Sequence, residues 1–279
     1  MSFDIRPMSR SDLDIALGWA REEGWNPGLD DADAFYAQDP SGFLMGRLDD
    51  EPIGCISVVK YDRHFSFLGL YIVRPQYRGK GYGKGIWDAG IASAGDRTIG
   101  LDGVVAQQDN YRKSGFVLAH RSARWSGVIH GGGVGDPKVR ALGSADLPPI
   151  EAFDGQCFPA SREPFLAAWL DSGVRYSACY VDEGRIRGYG TIRRSVDGYK
   201  IGPLFAETPL AAESLFYALA ARAGSAPVVI DVPATNEGAV EMVRRAGFAS
   251  SFETARMYRG PAPMQPIGLT FGITTLELG

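Results

Sequence analysis

Glycines and basic residues alternate at residues 78–84, within the segment VRPQYRGKGYGKGIW that covers residues 73–87. An apolar run at residues 67–73 precedes them, and a helical pattern follows from about Lys84. Glycines at alternate positions let successive backbone N–H groups turn toward one centre, where the positive end of the helix also points. The segment therefore predicts a pyrophosphate site between a strand and a helix.

Two common phosphate-binding motifs do not match this segment. A Walker loop has a glycine four residues ahead of its Gly-Lys pair, whereas Arg78 holds that position here and Gly85 replaces the final Ser or Thr. A dinucleotide fingerprint fails as well, because no frame starting at Gly79, Gly81 or Gly83 supplies the third glycine. The loop belongs to neither class.

The composition is that of a globular protein with room for one large domain or two ordinary ones, at 279 residues and 45% hydrophobic content. The N-terminal residues lack the apolar core of a signal peptide, and no run of about 18 apolar residues is present to span a bilayer. We therefore expect a cytoplasmic location and no membrane partner. A net charge of −4 without a basic block argues against nucleic acid as a partner.

The three cysteines, Cys55, Cys157 and Cys179, have no metal-ligand spacing, and two of them lie in apolar strand-like runs. Buried thiols are therefore favoured over a redox or nucleophilic role. The three histidines are scattered, with no second ligand at helical or hairpin spacing. We predict no metal site.

The second half of the sequence repeats the first, with matches in fixed order that lie 129 to 134 residues apart. The matches pair residues 5–13 with 139–147, 48–53 with 181–186, Gly69 with Gly202, 101–104 with 230–233, and 115–116 with 247–248. Small drifts in offset at constant order indicate one fold used twice.

The glycine-rich stretch HGGGVGDP at residues 130–137 suits a connection between the copies. We predict an N-terminal domain of residues 1–130, a linker of residues 131–137 and a C-terminal domain of residues 138–279. Each copy reads as a helix pair, a hairpin, a long strand, a helix, a strand, a helix and a closing strand pair. This order predicts an α/β sheet with helices on its faces.

Two motifs carry a resemblance to a known family. Val73-x-Pro75-x-Tyr77-Arg78-Gly79-x-Gly81-x-Gly83, followed some thirty residues later by Tyr111-x-x-x-Gly115-Phe116, resembles the acetyl-coenzyme A signature of the Gcn5-related N-acetyltransferases, or GNAT proteins. The endings ARMYRG and ITTLELG are similar to a subgroup with an active first domain and a degenerate second one. The resemblance spans nearly the whole chain and implies a tandem duplication of the GNAT fold, each copy a mixed, mostly antiparallel sheet flanked by helices.

The resemblance also implies roles for the matching residues. Backbone N–H groups of residues 78–84 would hold the pyrophosphate of acetyl-coenzyme A, and the main chain of residues 70–73 would pair with its pantetheine arm and offer an N–H to the thioester carbonyl. Tyr111 would protonate the departing thiolate. Val104 replaces the family's usual asparagine, and either Gln107 or Asn110 is a substitute. The implied cofactor-binding residues are Leu70, Tyr71, Ile72, Val73, Arg78, Gly79, Lys80, Gly81, Tyr82, Gly83, Lys84, Gln107 and Asn110.

The second copy lacks these features. The positions that correspond to residues 78–83 are Ala211–Phe216, with neither glycine nor arginine, and Val243 stands in place of Tyr111. A Cβ at each position blocks a backbone anion site. We predict that the second domain has kept the scaffold and lost the chemistry.

An amine acceptor arrives protonated, and removing its proton at pH 7 costs about 4 to 5 kcal/mol. A base is therefore expected, for which Glu22 and Asp102 are candidates. In similar proteins the segment after the first helix forms a wall of the acceptor pocket, which makes Glu23, Trp25, Asn26 and Asp30 candidate substrate-binding residues. Each acidic group is alternatively a solvated charge or a helix cap, and Trp25 alternatively a core residue. The shared negative sign favours a cationic acceptor.

We therefore predict an N-acetyltransferase that moves an acetyl group to a small-molecule primary amine by direct attack in a ternary complex, with the second domain shaping the pocket. A non-catalytic sensor of coenzyme A is the alternative from a different class, and acylation of a protein lysine or N-terminus is a third. The presence of Tyr111 in the first copy alone favours the enzyme. The sequence leaves open whether the chain is a monomer or a homodimer.

Overall fold

The computed structural model describes residues 2–129, 135–170 and 173–279. Most of the predicted linker, residues 131–134, lies outside the described residues, so the domain cut made there stays a prediction.

The first half of the chain alternates strands and helices in the predicted order. Its elements are β1 (Phe3–Pro7), α1 (Arg10–Glu22), α2 (Asp31–Gln38), β2 (Phe43–Leu48), β3 (Glu51–Lys60), β4 (Phe65–Val73), α3 (Tyr82–Ser93), β5 (Thr98–Val104), α4 (Gln108–Lys113) and β6 (Val117–Gly127). The predicted cap of α1 is present, since the Ser9 side chain accepts from the Asp12 N–H and the Asp12 carboxylate accepts from the Ser9 N–H.

The second half repeats this order and adds one strand. Its elements are β7 (Val139–Ala141), α5 (Leu147–Cys157), α6 (Glu163–Leu170), β8 (Tyr176–Asp182), β9 (Arg185–Arg194), β10 (Tyr199–Ala206), α7 (Pro209–Ala220), β11 (Val228–Pro233), α8 (Glu237–Arg245), β12 (Ala249–Arg259) and β13 (Thr270–Gly272). The matching hairpin turns also share a conformation, because Asp49, Asp50, Glu183 and Gly184 all have positive φ. The mixed α/β repeat is therefore confirmed.

All strands form one sheet, in the order β1-β2-β3-β4-β5-β12-β6-β11-β10-β9-β8-β7, with β13 paired to β10. The last long strand of each half is exchanged: β12 lies between β5 and β6, and β6 lies between β12 and β11. The sequence predicted a closing strand pair within each copy, and this prediction is therefore wrong. Neither half completes its own sheet. β12 of the second half forms hydrogen bonds with β5 of the first, and β6 of the first half forms hydrogen bonds with β11 of the second.

A buried ion pair joins each exchanged strand to its neighbour from the other half. Arg124 of β6 makes a bidentate contact with Asp231 of β11, at 2.8 and 2.9 Å. Arg256 of β12 makes the same contact with Asp102 of β5, at 2.7 Å for both bonds. Since Thr254 and Ser122 face each other between the two strands, the pairs are related by an approximate two-fold axis at that point. Each half thus supplies one arginine to the other.

Helices cover both faces of the sheet. The face that carries the two ion pairs is covered by α1 and α2 of the first half together with α5 and α6 of the second; Phe165 and Trp169 of α6 pack into the same apolar cluster as Phe35 of α2. On the opposite face, α3 packs over the first half and α7 and α8 pack over the second. The halves therefore share a core as well as a sheet.

The C-terminal segment, residues 270–279, crosses the face with the ion pairs and contacts the same glycine of each repeat. A Cβ on Gly202 would lie 2.4 Å from the Thr274 carbonyl oxygen, and one on Gly69 would lie 2.1 Å from the Glu277 carbonyl oxygen. The match between these glycines in the sequence repeat thus has a physical reason. Both are small because this segment passes over them.

Among the described residues, no helix combines the length and apolar character needed to cross a bilayer.

We expect Arg256→Met to lower the free energy of unfolding by about 3 kcal/mol, because it leaves the carboxylate of Asp102 buried without a cation. The Asp102 side chain is fully buried in this pair. Urea unfolding measures the loss. The control is Arg6→Met, which removes exposed pairs with Asp4 and Asp50 and should lower stability far less, because exposed ion pairs contribute little.

The double variant Arg256→Met with Asp102→Leu extends this test, because replacing both charged partners by apolar groups removes the unpaired charge. It should recover most of the stability. A double variant as unstable as Arg256→Met alone would contradict the ion-pair explanation.

Candidate active site

The glycine-rich loop after β4 presents bare backbone at the start of α3. Gly79 and Gly81 have φ of 74° and 87°, and a Cβ at either would meet nothing within 4 Å. Backbone conformation, not space, therefore requires glycine here. The helix begins at Tyr82, slightly before the predicted Lys84, with no side-chain cap. Within the described residues no backbone acceptor takes the N–H groups of residues 79–84, which are available to an anion.

Three cations surround this loop. Arg78 donates from Nε to the Val73 carbonyl at 2.7 Å and from Nη2 to the carboxylate of Glu23. Lys80 and Lys84 are exposed beside it. Glu23, predicted to bind the acceptor, lies beside this loop, where its carboxylate accepts from Arg78.

The edge of β4 next to the loop is open. β4 pairs with β5 only from Phe65 to Leu68, although both strands continue beyond that point. Leu70, with φ of 44°, marks the bulge at which the two strands diverge. In the described part of the chain no strand pairs with residues 70–73 on the β5 side. Apart from the Val73 carbonyl, which accepts from Arg78, the main-chain groups that face the β5 side have no strand partner in the described residues and are available to an extended ligand.

The residues at this edge alternate between the two faces. Leu70 and Ile72 are buried in the cluster under α1 and α2, whereas Tyr71 packs against Trp87 of α3. A Cβ on Gly83 would lie 2.8 Å from the Tyr71 hydroxyl, so this third glycine provides room for the phenol. Side chains on both faces thus fix the position of the open edge.

Tyr111 lies on α4, across the opening from the loop. Its ring stacks on Trp87 at 5.6 Å between centroids, and a Cβ on Gly103 would lie 2.2 Å from it. Burial raises the pKa of Tyr111 to about 12, with a further contribution from Tyr71. The phenol is therefore protonated throughout the neutral range.

The two predicted substitutes for the missing asparagine lie on the outside of α4. Asn110 donates to the Gln107 side chain at 2.7 Å, and both residues are exposed. The two side chains bond to each other, and neither forms a hydrogen bond with another group of the described residues.

The loop between α1 and α2, predicted to form an acceptor wall, is docked on the second half. The Asn26 amide binds the backbone of Asp197, with its Oδ1 accepting at 2.9 Å, and the Leu29 N–H donates to the Arg194 carbonyl at 3.0 Å. The carbonyl of Trp25 accepts from Arg124 at 2.9 Å while its ring packs on the core. Asp30 is exposed, and its carbonyl accepts from Arg175. The loop therefore connects the first half to the second.

The two candidate bases occupy very different surroundings. Glu22 is exposed at the last residue of α1. Asp102 is held by both bonds of Arg256, and its side chain is fully buried. A carboxylate engaged in this way has no lone pair directed at a substrate, which argues against Asp102 as the base.

Sequence reasoning missed a cluster of buried charges beyond the end of β5. Asp31 accepts from Arg193 at 2.8 Å, and Lys200 lies 3.8 Å from Asp231. Burial and the neighbouring Arg124 lower the pKa of Lys200. The sequence gives a signal for one member of this cluster, Asp231, which the repeat aligns with Asp102.

The corresponding region of the second half is closed. Helix α7 begins with Pro209 and is capped by the Thr208 side chain, which accepts from the Ala211 N–H at 3.2 Å. β10 and β11 diverge after Ile201, and β13 fills the gap by pairing with β10. Val243, at the position that corresponds to Tyr111, is fully buried. The chain's own backbone thus occupies the gap between the diverging strands of the second half.

Comparison with known proteins finds matches to one family in both halves of the chain. Residues 12–116 match the acetyltransferase (GNAT) family, and residues 150–272 match an acetyltransferase (GNAT) domain. The chain is 34% identical over 276 residues to the holothin acyltransferase of Pseudoalteromonas sp. (strain SANK 73390), covering 98% of this chain and 94% of that protein. The chain belongs to the GNAT family. It is an acyltransferase built from two GNAT folds in tandem.

Solved GNAT structures share this fold. A putative acetyltransferase from Pyrococcus horikoshii superposes with a TM-score of 0.84 at 22% identity, covering 99% of this chain and 96% of its own. A tandem GNAT protein from the clavulanic acid biosynthesis pathway superposes with a TM-score of 0.65 at 12% identity, covering 94% and 100%. At these identities the likeness concerns the fold alone.

We expect Gly81→Ala to weaken the binding of coenzyme A at least tenfold in calorimetric titration, because an L-residue at this φ forces the N–H groups of the loop to turn. The matched control is Gly155→Ala, an exposed helical position with open space around it. It should bind with wild-type affinity. Equal affinities for the two variants would contradict the loop assignment.

Proposed function

We propose that this GNAT protein transfers the acetyl group of acetyl-coenzyme A to the primary amine of a small molecule, which attacks the thioester directly in a ternary complex. The first half, residues 1–130, would bind the cofactor, and the second half, residues 138–279, would shape the acceptor pocket. One observation carries the proposal. In the first half, free N–H groups begin α3, an open strand edge precedes them on β4, and Trp87 of α3 contacts both Tyr71 of that edge and the ring of Tyr111. In the second half, β13 fills the corresponding gap.

The residues of the opening fit an acyl-coenzyme A. The N–H groups of residues 79–84 and the positive end of α3 suit a pyrophosphate, with Arg78, Lys80 and Lys84 adding charge at its rim. The extended main chain of residues 70–73 suits the amide groups of a pantetheine arm, which pair with a strand edge. Arg78 would exchange Glu23 for a phosphate on binding.

The bulge at Leu70 would stabilise the reacting centre. Where the strand turns out of its ladder, a main-chain N–H is available to the thioester carbonyl oxygen, on which negative charge grows during attack. Fixed donors of this kind act without reorganisation. Tyr111, protonated at neutral pH, would then give its proton to the departing thiolate.

The position of the second half favours a small acceptor. Its β9–β10 turn binds the loop at residues 25–29, and its C-terminal segment passes over Gly69 at the edge of the opening. Both contacts narrow the approach to the thioester. A folded protein substrate would need an open groove at this point.

The proposal is tested by incubating the protein and acetyl-coenzyme A with glycine, lysine, spermidine, glucosamine and tryptamine, and following thiol release. At least one amine should raise thiol release above the rate seen without an acceptor. If no amine does so while the cofactor binds tightly, transfer to a small amine is contradicted.

We expect Tyr111→Phe to lower kcat about 100-fold with less than a twofold change in cofactor affinity, because the variant keeps the ring stacked on Trp87 and loses only the proton donor. Tyr217→Phe, at a partly exposed position on α7, serves as the control and should leave kcat unchanged. A wild-type kcat for Tyr111→Phe would return this residue to a packing role.

A further inference from the structure

The C-terminal segment brings a buried carboxylate to the acceptor side of the opening. Glu277 is only 4% exposed, and its main chain lies against Gly69, the residue before the Leu70 bulge. It belongs to the second half by sequence and to the site of the first half by position. The ending ITTLELG contains this residue, but the resemblance assigned it no role.

This segment is held firmly on both sides of Glu277. The Tyr61 hydroxyl donates to the Leu278 carbonyl at 2.7 Å, and the Leu278 N–H donates to Thr275 Oγ1 at 3.0 Å. The Gly279 N–H also donates to the Thr275 carbonyl, at 3.1 Å. Five successive residues are thereby fixed, so the side chain of Glu277 has a defined origin.

Glu277 lies at the end of the sheet where β4 and β5 diverge, because its main chain covers Gly69, the residue after the last β4–β5 pair. The buried charges at this end of the sheet are close enough to interact with its carboxylate. Burial and Arg124 lower the pKa of Lys200, and Asp231 and Glu277 oppose that effect; Asp231 and Glu277 also raise the pKa of Arg124 against the effect of burial. Arg124 lies two residue pairs beyond the row formed by Val104, Thr254 and Ser122, which is past the end of β5.

In the described residues Glu277 is a carboxylate without a fixed partner. Of the nearby cations, Arg124 binds Asp231 at 2.8 Å, whereas Lys200 Nζ lies 3.8 Å from the same aspartate and forms no hydrogen bond within the described residues. No side chain or N–H of the described residues forms a hydrogen bond with the Glu277 carboxylate, in contrast to Asp102, Asp231 and Asp31, which are each held by an arginine. A buried carboxylate lacking a partner favours a cation from outside.

We propose that Glu277 binds the ammonium group of the acceptor beside the Leu70 bulge and takes its proton. The inference rests on the proposed function, because it requires an amine acceptor at this opening. It replaces Glu22 and Asp102 as the base. The second half would then contribute a reacting group to the first, in addition to a wall.

The protons and bonds balance in this scheme. Glu277 takes one proton from the ammonium, which leaves a free amine. The amine nitrogen then forms its bond to the thioester carbon, and the carbon–sulfur bond breaks. The second nitrogen proton is lost to solvent as the amide forms. Tyr111 gives its own proton to the thiolate and regains a proton from solvent. The products are the acetamide and coenzyme A, and protonated Glu277 releases its proton to water.

The test compares wild type, Glu277→Gln and Glu277→Asp with the best amine of the five named above. We expect Glu277→Gln to lower kcat/KM about 100-fold at pH 7 and Glu277→Asp to lose less. The ratio of the wild-type kcat/KM to that of Glu277→Gln should be at least tenfold smaller near pH 10, where the amine is already deprotonated in solution. Acetyl-coenzyme A affinity should be unchanged, and the control Glu241→Gln, an exposed position on α8, should behave as wild type.

Two results overturn the inference and are distinguishable. If wild type acetylates none of the amines, the proposed function fails and this inference fails with it. If wild type is active and Glu277→Gln is equally active, or is impaired by the same factor from pH 7 to pH 10, only the assignment of Glu277 is wrong.

Discussion

The structure depends on two buried Arg–Asp pairs that hold the exchanged strands at the centre of the sheet. Each arginine lies on the last long strand of one half and each aspartate on the sheet of the other, so Arg124–Asp231 and Arg256–Asp102 repeat one interaction across an approximate two-fold axis. A buried arginine without its carboxylate would be strongly destabilising. The pairing therefore favours this arrangement over two separate sheets and makes the tandem one structural unit.

The two-fold relation gives each half a gap in the sheet, and the C-terminal segment makes the two gaps different. Both gaps lie where two parallel strands diverge, and a single C-terminal segment reaches both. Its first part fills the gap of the second half as β13, and its last part reaches the edge of the other at Gly69. The proposed loss of the second cofactor site and the proposed completion of the first acceptor site would thus follow from the same ten residues.

The conformation of the glycine-rich loop could be predicted because residues 73–87 carry its whole signal: glycines at positions of positive φ, adjacent cations and a following helix. The repeat likewise predicted the order of elements. Strand exchange could not be predicted, since β6 and β12 have the same pattern of residues whichever sheet they join. Asp102 was ambiguous because its partner Arg256 is 154 residues away. Glu277 gave no local signal, because its position depends on a segment that crosses the whole sheet.

The central claim is that the first half holds the cofactor and that the chain's own backbone excludes it from the second. A crystal structure with acetyl-coenzyme A tests this most directly. We expect one cofactor per chain, with its pyrophosphate at residues 79–84 and its thioester beside Leu70, and with β13 still paired to β10. A cofactor bound between β10 and β11, with β13 displaced, would contradict the account.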